Sequence, residues 1–161
     1  MVSWREARTT DDSALALLGE YFAALSAAFG GDGFRPSFPD PAEFVPPEGV
    51  FLVVESEDLA GEPADVGCGG IRSLGTSREG LRRFEVKHLF LQPHVRGMGF
   101  GRALLAELER RGRDLGAEEL VLDTNSTLEA AGGLYRSAGF VPVPAYNDNP
   151  DATDWYAKRL S

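Results

Sequence analysis

The stretch FEVKHLFLQPHVRGMGFGRALLA, residues 84–106, changes its hydrophobic period near its middle. Its first part is rich in β-forming side chains up to Leu91. Pro93 cannot donate a ladder hydrogen bond, so a strand is predicted to end near Gln92. Beyond residue 99, apolar residues recur at spacings of three, four and seven, which predicts an amphipathic helix with Gly116 just past its end. The stretch therefore predicts a strand, a glycine-rich turn and a helix.

The turn contains three alternating glycines, Gly97, Gly99 and Gly101, between Arg96 and Arg102. Glycines leave backbone N–H groups unshielded, and the N-terminus of a helix carries a partial positive charge that attracts phosphate. A plain turn that needs glycine for positive φ is the simpler interpretation. We favour phosphate binding, because three glycines between two arginines exceed what a turn requires.

The glycine spacing does not fit two common phosphate-binding loops. A P-loop needs a lysine after its glycines, and none follows here. In a dinucleotide-binding fingerprint the third glycine position would hold Arg102, which is too large for close packing of helix on strand. Asp123 does lie at the end of the next predicted strand, where a ribose-binding acid would stand, so a dinucleotide-binding domain remains an alternative.

Residues 96–101, Arg-Gly-Met-Gly-Phe-Gly, resemble motif A of the GCN5-related N-acetyltransferases (GNAT), Gln/Arg-x-x-Gly-x-Gly/Ala. Residues 134–140, Leu-Tyr-Arg-Ser-Ala-Gly-Phe, resemble a second signature of that family, Leu-Tyr-x-x-x-Gly-Phe. The resemblance implies an α/β fold with a central mixed sheet of about seven strands and helices on both faces. It also implies acetyl-CoA-dependent transfer of an acetyl group to a primary amine, by direct attack in a ternary complex.

The same resemblance implies where acetyl-CoA binds. The central strands would splay apart before the glycine turn, so that main-chain groups of one strand pair with the pantetheine arm and N–H groups of the turn hold the pyrophosphate. The implied contacts are Leu89, Phe90 and Leu91 for the arm, and Arg96, Gly97, Met98, Gly99, Phe100, Gly101 and Arg102 for the pyrophosphate. Many relatives carry Asn seven residues before the signature tyrosine, where this chain has Leu128, and Asn125 is the candidate substitute.

Acetyl transfer to an amine needs a group that removes a proton from nitrogen and one that protonates the leaving thiolate. By resemblance Tyr135 is the acid, although its place on an apolar helix stripe also fits a core residue. By the same resemblance Glu85, which lies six residues before Leu91 as the general base does in some histone acetyltransferases of the family, is the candidate base, although it also fits a charge at a strand start. Asp123 is the reserve candidate for the base, and a water relay also stays open.

Elsewhere the sequence predicts a first strand (2–8), a helix up to about residue 29, a proline-rich loop (35–49) and a β-hairpin (50–55 and 66–74). Strands and helices alternate from 84 to 138, which favours parallel pairing there, and two further strands follow at 140–143 and 154–160. Cys68-Gly69-Gly70 predicts a bulge around a small buried cysteine. His88 and His94 lack partners at metal-ligand spacing, so no metal is expected.

A length of 161 residues predicts one domain, 1–161, with enough apolar residues (43 %) for a core. A net charge of −9 argues against a nucleic-acid partner. One cysteine, with no signal peptide and no membrane-spanning run, predicts a cytoplasmic protein. A non-catalytic CoA-binding sensor or assembly module is the main alternative function. The acceptor, a small-molecule or peptide amine, and the oligomeric state, with a homodimer as one option, stay open.

Overall fold

The structure, a computed structural model, describes residues 1–29, 36–126 and 129–160, with only the backbone at 129–132. Ten strands and helices follow the predicted order: β1 (Ser3–Glu6), α1 (Asp12–Ala28), β2 (Gly49–Glu57), β3 (Pro63–Thr76), β4 (Arg82–Leu91), α2 (Phe100–Asp114), β5 (Glu119–Thr124), α3 (Glu129–Ser137), β6 (Val141–Val143) and β7 (Asp154–Arg159). Two short 3-10 turns, Pro41–Phe44 and Pro93–Val95, precede β2 and α2. None of the helices in the described ranges is long and apolar enough to cross a bilayer.

All seven strands belong to one sheet in the order β1-β2-β3-β4-β5-β7-β6. Among the described pairs only β4 and β5 are parallel, because α2 carries the chain back over the sheet between them, and the other pairs are antiparallel. The predicted mixed sheet of about seven strands is therefore confirmed. The strand β7 enters between β5 and β6, so the last strand of the chain is an inner strand.

The alternating side chains of β2 separate two apolar cores. Val50, Leu52 and Val54 face a cluster that includes Leu104 and Leu108 of α2, whereas Phe51 packs on the opposite face with residues of α1. Because successive strand residues point to opposite faces, one strand can fill both cores. The predicted placement of helices on both faces of the sheet is confirmed.

Two boundaries near the glycine turn are predictable from local chemistry. Strand β4 ends at Leu91, two residues before Pro93, and Gly116 follows α2 with a φ of +93°, a backbone conformation that favours glycine. Ser126 and Glu129 have the spacing of a capping box, which predicts that α3 begins there. That prediction falls partly on residues 127–128, which lie outside the described residues.

Glycines in β2 and β3 allow a loop to lie directly on the sheet. The pairing of β3 with β4 shifts register between Cys68 and Gly70, as the predicted bulge requires. A Cβ atom on Gly70 would lie 2.8 Å from Phe44, and one on Gly49 would lie 2.2 Å from the Ile71 carbonyl oxygen. Both distances are too short for any side chain. These glycines let the 41–44 turn pack directly against β2 and β3.

Candidate active site

The two parallel strands pair only at one end. β4 pairs with β5 from Arg83 to Glu85, opposite Glu119 to Val121, and the register then stops. From Val86 onward β4 remains paired with β3, and residues 122–124 of β5 remain paired with β7. Strands β4 and β5 therefore splay apart. Along the slot between them, the N–H and C=O groups of one strand do not hydrogen-bond to the other strand.

The slot opens into a cavity of about 530 Å³. That volume lies within the usual range for small-molecule sites. The cavity is lined by both splayed strands, the second half of α1, the 37–44 segment, the loop 144–153 and single residues of β3 and α3. Its described lining residues include Tyr21, Phe22, Phe38, Phe44, Arg72, Lys87, His88, Leu89, Asp123, Asn125, Tyr135 and Asp151. The first helix, the proline-rich loop and the C-terminal loop thus meet at this cavity.

The glycine turn lies between the end of β4 and the start of α2. Gly97 and Gly99 have φ angles of +81° and +83°, and a Cβ atom on either would meet nothing within 4 Å. Hydrogen bonding to main-chain carbonyls resumes at Ala103, whose N–H donates to Gly99 (3.1 Å). The N–H groups from Gly97 to Arg102 therefore have no main-chain acceptor among the described residues, which is the arrangement that binds anions at a helix start.

Gly101 differs from the other two glycines of the turn. It has no positive φ, and a Cβ atom there would lie 3.1 Å from the Leu134 side chain of α3. Its small size lets α2 pack closely against α3. The sequence alone did not separate this packing role from the phosphate binding that was predicted for all three glycines.

The two arginines that flank the turn each donate a hydrogen bond to a main-chain carbonyl outside the turn. Arg96 Nε donates to the Leu91 carbonyl (3.0 Å), and Arg102 donates through Nη2 to the Ser137 carbonyl at the end of α3 (2.8 Å). Both side chains are exposed, and each retains further N–H groups. One carbonyl that the family resemblance assigns to the pantetheine arm thus already accepts a hydrogen bond from its own chain.

Tyr135 of α3 lies on the cavity wall. The residue is 7 % exposed, and its ring packs against Phe140 and Tyr156 at centroid distances of 6.1 and 5.9 Å. Burial, followed by the nearby charge of Asp123 and by Tyr156, raises the pKa of the Tyr135 hydroxyl above its usual value. The phenol is therefore protonated at neutral pH.

Glu85 is buried and has both carboxylate oxygens engaged. Arg72 donates through Nε to Oε1 (3.0 Å), and the Tyr146 hydroxyl donates to Oε2 (2.6 Å). Arg72 also binds Glu43, so the network joins the 41–44 turn, two strands and the C-terminal loop. Glu85 itself is absent from the described cavity lining.

Asp123, in contrast, lies on the cavity wall at the open end of β5. Its Oδ2 accepts a hydrogen bond from Asn147 Nδ2 (2.7 Å), and its Oδ1 lies 4.0 Å from Lys87 Nζ across the slot. Trp155 fixes the Asn147 amide by donating to its oxygen (2.9 Å). Asp123 therefore faces the cavity beside a cation, near Tyr135.

Family comparison agrees with this geometry. Residues 17–140 match the Acetyltransferase (GNAT) family. The chain belongs to this family. As a GNAT protein it is 33 % identical, over 108 residues, to an uncharacterized N-acetyltransferase of Schizosaccharomyces pombe, with 67 % of this chain and 61 % of that protein covered. The chain thus spans less than two thirds of the curated relatives that it matches first. The family resemblance read from the two motifs is confirmed.

Two solved structures share the GNAT fold of this chain. A Klebsiella pneumoniae protein, provisionally assigned as an acyl-CoA N-acyltransferase, is 27 % identical with a TM-score of 0.71, covering 100 % of this chain and 99 % of that chain. A phosphinothricin acetyltransferase of Sinorhizobium meliloti, solved in complex with acetyl-CoA, is 19 % identical with a TM-score of 0.64, covering 99 % and 88 %. The second likeness concerns the fold alone.

In this GNAT chain the acyl-CoA site implied by the family fits the residues present. Gly97 and Gly99 form an open turn at the N-terminus of a fifteen-residue helix, and the splayed strands lead from that turn into the cavity. A diphosphate needs such N–H groups, and an extended thiol arm needs such a slot. The residues therefore suit a ligand with both parts.

In this GNAT chain Asn125 and Cys68 make hydrogen bonds within the chain. Asn125, the candidate substitute for the missing asparagine, donates through Nδ2 to the Asp151 carbonyl (2.7 Å) and so ties the C-terminal loop to β5. Leu128 lies outside the described residues. Cys68 is fully buried, with its sulfur 3.4 Å from the His88 carbonyl oxygen, and burial raises the pKa of the thiol. Cys68 is thus a small core residue, as predicted.

His88 interrupts β4 inside the cavity. Among the described residues other than glycine, only His88 has a positive φ (+59°). Its ring lies among Tyr21, Phe22 and Phe44 at centroid distances of 5.8–5.9 Å. Burial, and then the charges of Lys87 and Arg72, lower the pKa of His88 to about 3. The ring is therefore neutral at physiological pH. His94 contacts the Glu57 carbonyl (3.1 Å) on the surface.

Proposed function

We propose that this chain is an acetyl-CoA-dependent N-acetyltransferase that acts on a primary amine by direct attack in a ternary complex. The observation that carries the proposal is the slot between β4 and β5, which joins the free N–H groups of the glycine turn to a cavity bearing Tyr135 and Asp123. The Sinorhizobium meliloti relative, solved with acetyl-CoA, and the N-acetyltransferase relatives support the same assignment.

The proposal gives the main chain the task of placing the donor. Acetyl-CoA supplies an activated acetyl thioester. The N–H groups from Gly97 to Arg102 bind its diphosphate, and the main chain of Leu89, Phe90 and Leu91 binds its pantetheine arm along the open edge of β4. Holding the thioester beside the cavity lets the bound donor and the bound amine react within one complex. This removes much of the entropic cost of bringing the two reactants together.

Tyr135 is the proposed proton donor to the departing thiolate. A thiol has a pKa near ~8.5, below the ~10 of a phenol, so complete proton transfer is uphill in water; once water is excluded, the Tyr135 hydroxyl stabilises the departing thiolate by a hydrogen bond and transfers its proton as the C–S bond breaks. The nearly buried site of the Tyr135 ring provides that exclusion, and solvent restores the proton after product release. The raised pKa of Tyr135 keeps the hydroxyl protonated before each turnover.

Asp123 is the proposed acceptor of the amine proton. An alkyl ammonium with a pKa near ~10.4 must lose a proton before the nitrogen can attack. Asp123 lies on the cavity wall, whereas Glu85, the first candidate from sequence, is held by Arg72 and Tyr146 behind that wall. In this proposal Glu85 positions Arg72 and the C-terminal loop, and Asp123 takes the proton directly or through water.

The test is release of free CoA from acetyl-CoA in the presence of a panel of primary amines, with each acetylated product confirmed by mass. Amine-dependent release that Tyr135→Phe strongly reduces would support the enzyme. Acetyl-CoA binding without turnover of any amine, and with no effect of Tyr135→Phe, would instead establish the non-catalytic CoA-binding module. Thermal protection by NAD and not by CoA would favour a dinucleotide-binding domain. The cytoplasmic location and the homodimer remain predictions.

A further inference from the structure

One wall of the cavity is built from aromatic rings. Phe22 packs against Tyr21 and Phe38, with ring centroids 5.4 and 5.0 Å apart, and the His88 ring joins Phe22 to Phe44. Because the His88 ring is neutral at physiological pH, it adds no charge to this aromatic wall. Phe38 is 51 % exposed, so part of this aromatic wall faces solvent at the cavity mouth. A wall of this kind suits a flat or compact apolar group.

The charged side chains of the cavity lining are mostly acidic. Among the described lining residues four are carboxylates, Asp40, Glu43, Asp123 and Asp151, and two are cations, Arg72 and Lys87. The described lining thus carries a net charge of −2 (two cations against four carboxylates), and the buried Glu85 adds a further negative charge directly behind Arg72. Such a cavity attracts an ammonium group and repels a carboxylate.

Both cations of the lining are already neutralised. Arg72 donates to Glu85 through Nε and to Glu43 through Nη1, and its Nη2 lies 2.9 Å from Glu85 Oε1. Burial disfavours the charge of Arg72, but the two carboxylates more than offset this and raise its pKa. Lys87 faces Asp123 at 4.0 Å. An arginine with its fork occupied by two carboxylates has no bidentate face left for the carboxylate of an amino acid.

We infer that the acceptor is a primary monoamine on an aromatic or compact apolar body, without a carboxylate next to the amine. The apolar body lies against the aromatic wall of Tyr21, Phe22, Phe38 and Phe44, and the acidic lining draws in the ammonium group. Glu43 acts as a specificity-determining residue, because it keeps Arg72 from binding a substrate carboxylate. This inference rests on the proposed function and names the acceptor class of the same site.

The experiment compares acceptors that differ by one group. 2-Phenylethylamine and L-phenylalanine differ by a carboxylate, and 2-phenylethylamine and ethylamine differ by an aromatic ring. With saturating acetyl-CoA, kcat/KM is expected to be at least about 100-fold higher for phenylethylamine than for phenylalanine, because the carboxylates of the lining repel a substrate carboxylate. It is expected to be at least about tenfold higher than for ethylamine. Equal or reversed ratios would overturn the inference while leaving the acetyltransferase activity established.

Two variants test the residues behind the inference. Phe38→Ser should raise KM for phenylethylamine and leave KM for acetyl-CoA unchanged, whereas Leu59→Ser, at an exposed leucine in the β2–β3 turn, should change neither. Glu43→Gln frees part of the Arg72 fork, so it should increase use of phenylalanine relative to phenylethylamine by about tenfold. No change in that ratio would overturn the role of Glu43. If no amine is acetylated, calorimetric binding of the same amines to the CoA-loaded protein decides the acceptor class, and only the proposed function fails.

Discussion

The Tyr146 hydroxyl lies 2.6 Å from Glu85 Oε2 and donates a hydrogen bond to it. The bond joins residues 61 positions apart, and Arg72 holds the other oxygen of the same carboxylate. Asn147, the next residue after Tyr146, binds Asp123. The C-terminal loop is therefore attached to both central strands just where they separate. One of these carboxylates is enclosed by its partners, and the other faces the cavity.

This difference predicts opposite effects for two conservative variants. Asp123→Asn should lower kcat by about 100-fold, since the proton acceptor is lost, with only a small loss of stability. Glu85→Gln should lower the free energy of unfolding by about 2 kcal/mol, since Arg72 loses a charged partner, and should leave measurable turnover. Steady-state kinetics and urea unfolding distinguish the two. A Glu85→Gln protein that is stable but inactive, beside an active Asp123→Asn protein, would assign the base to Glu85.

Tyr135→Phe should lower kcat by about 100-fold while leaving the dissociation constant of acetyl-CoA unchanged, since it removes a proton donor and keeps the ring in place. Tyr156→Phe is the matched control, because the Tyr156 ring packs against Tyr135 but its hydroxyl accepts a bond from Arg136 (3.3 Å) away from the lining. Stopped-flow thiol release and calorimetry measure the two quantities. Equal losses of kcat in both variants would mean that Tyr135 serves packing alone.

Gly99→Ala should weaken acetyl-CoA binding by about tenfold, since a methyl group at this position shields N–H groups that are expected to bind the diphosphate. Gly80→Ala is the control: its φ of +84° matches the +83° of Gly99, and neither Cβ atom would meet a neighbour within 4 Å. Both substitutions therefore impose a similar backbone strain of about 1–2 kcal/mol. Calorimetry should show the affinity loss in the Gly99 variant only, and equal affinities would remove the turn from the cofactor site.

The free energy of unfolding should fall as the pH is lowered from about 6.5 to about 3. His88 binds a proton in the unfolded chain near pH 6.5, but burial lowers its pKa to about 3 in the folded protein. Between these values the unfolded state holds the additional proton, so this group reduces stability by up to about 1.4 kcal/mol per pH unit. Above this window its effect is constant.

His88→Asn tests that pH dependence, because asparagine does not titrate and tolerates the positive φ at this position. Urea unfolding at several pH values should show a shallower decline below pH 6.5 for this variant than for the parent. His94→Asn, at a surface histidine, should keep the parent slope. A parent slope in the His88 variant would show that His88 is not the group responsible.

Local sequence was sufficient for the parts of the fold that depend on neighbouring residues. Pro93 predicted the end of β4, Gly116 predicted the end of α2, and the β-forming run of residues 50–55 predicted the strand β2. The turn with Gly97 and Gly99 was identified because alternating glycines are typical of a backbone with positive φ and exposed N–H groups. These features require no knowledge of which distant segments meet.

The site network depended on contacts that the sequence does not encode locally. Glu85 has one partner in β3 and another in the C-terminal loop. Both partners are distant in sequence, so the residues around Glu85 did not predict that its carboxylate would be enclosed. Lys87 and Asn147 belong to no motif, so neither was predicted as a site residue. The strand alternation of β4 is broken at His88, where φ becomes positive, so which of residues 86–91 face the cavity was not predictable from period alone.

The position of β7 between β5 and β6 bears on how the protein matures on the ribosome. β5 is translated more than thirty residues before β7, yet β7 covers its full length from Glu119 to Thr124. Until β7 emerges from the exit tunnel, β5 presents an uncovered edge that invites pairing with other nascent chains. The proposed site therefore forms only after residues 149–152 have been made, and a product that ends before them would hold the glycine turn without one wall of the cavity.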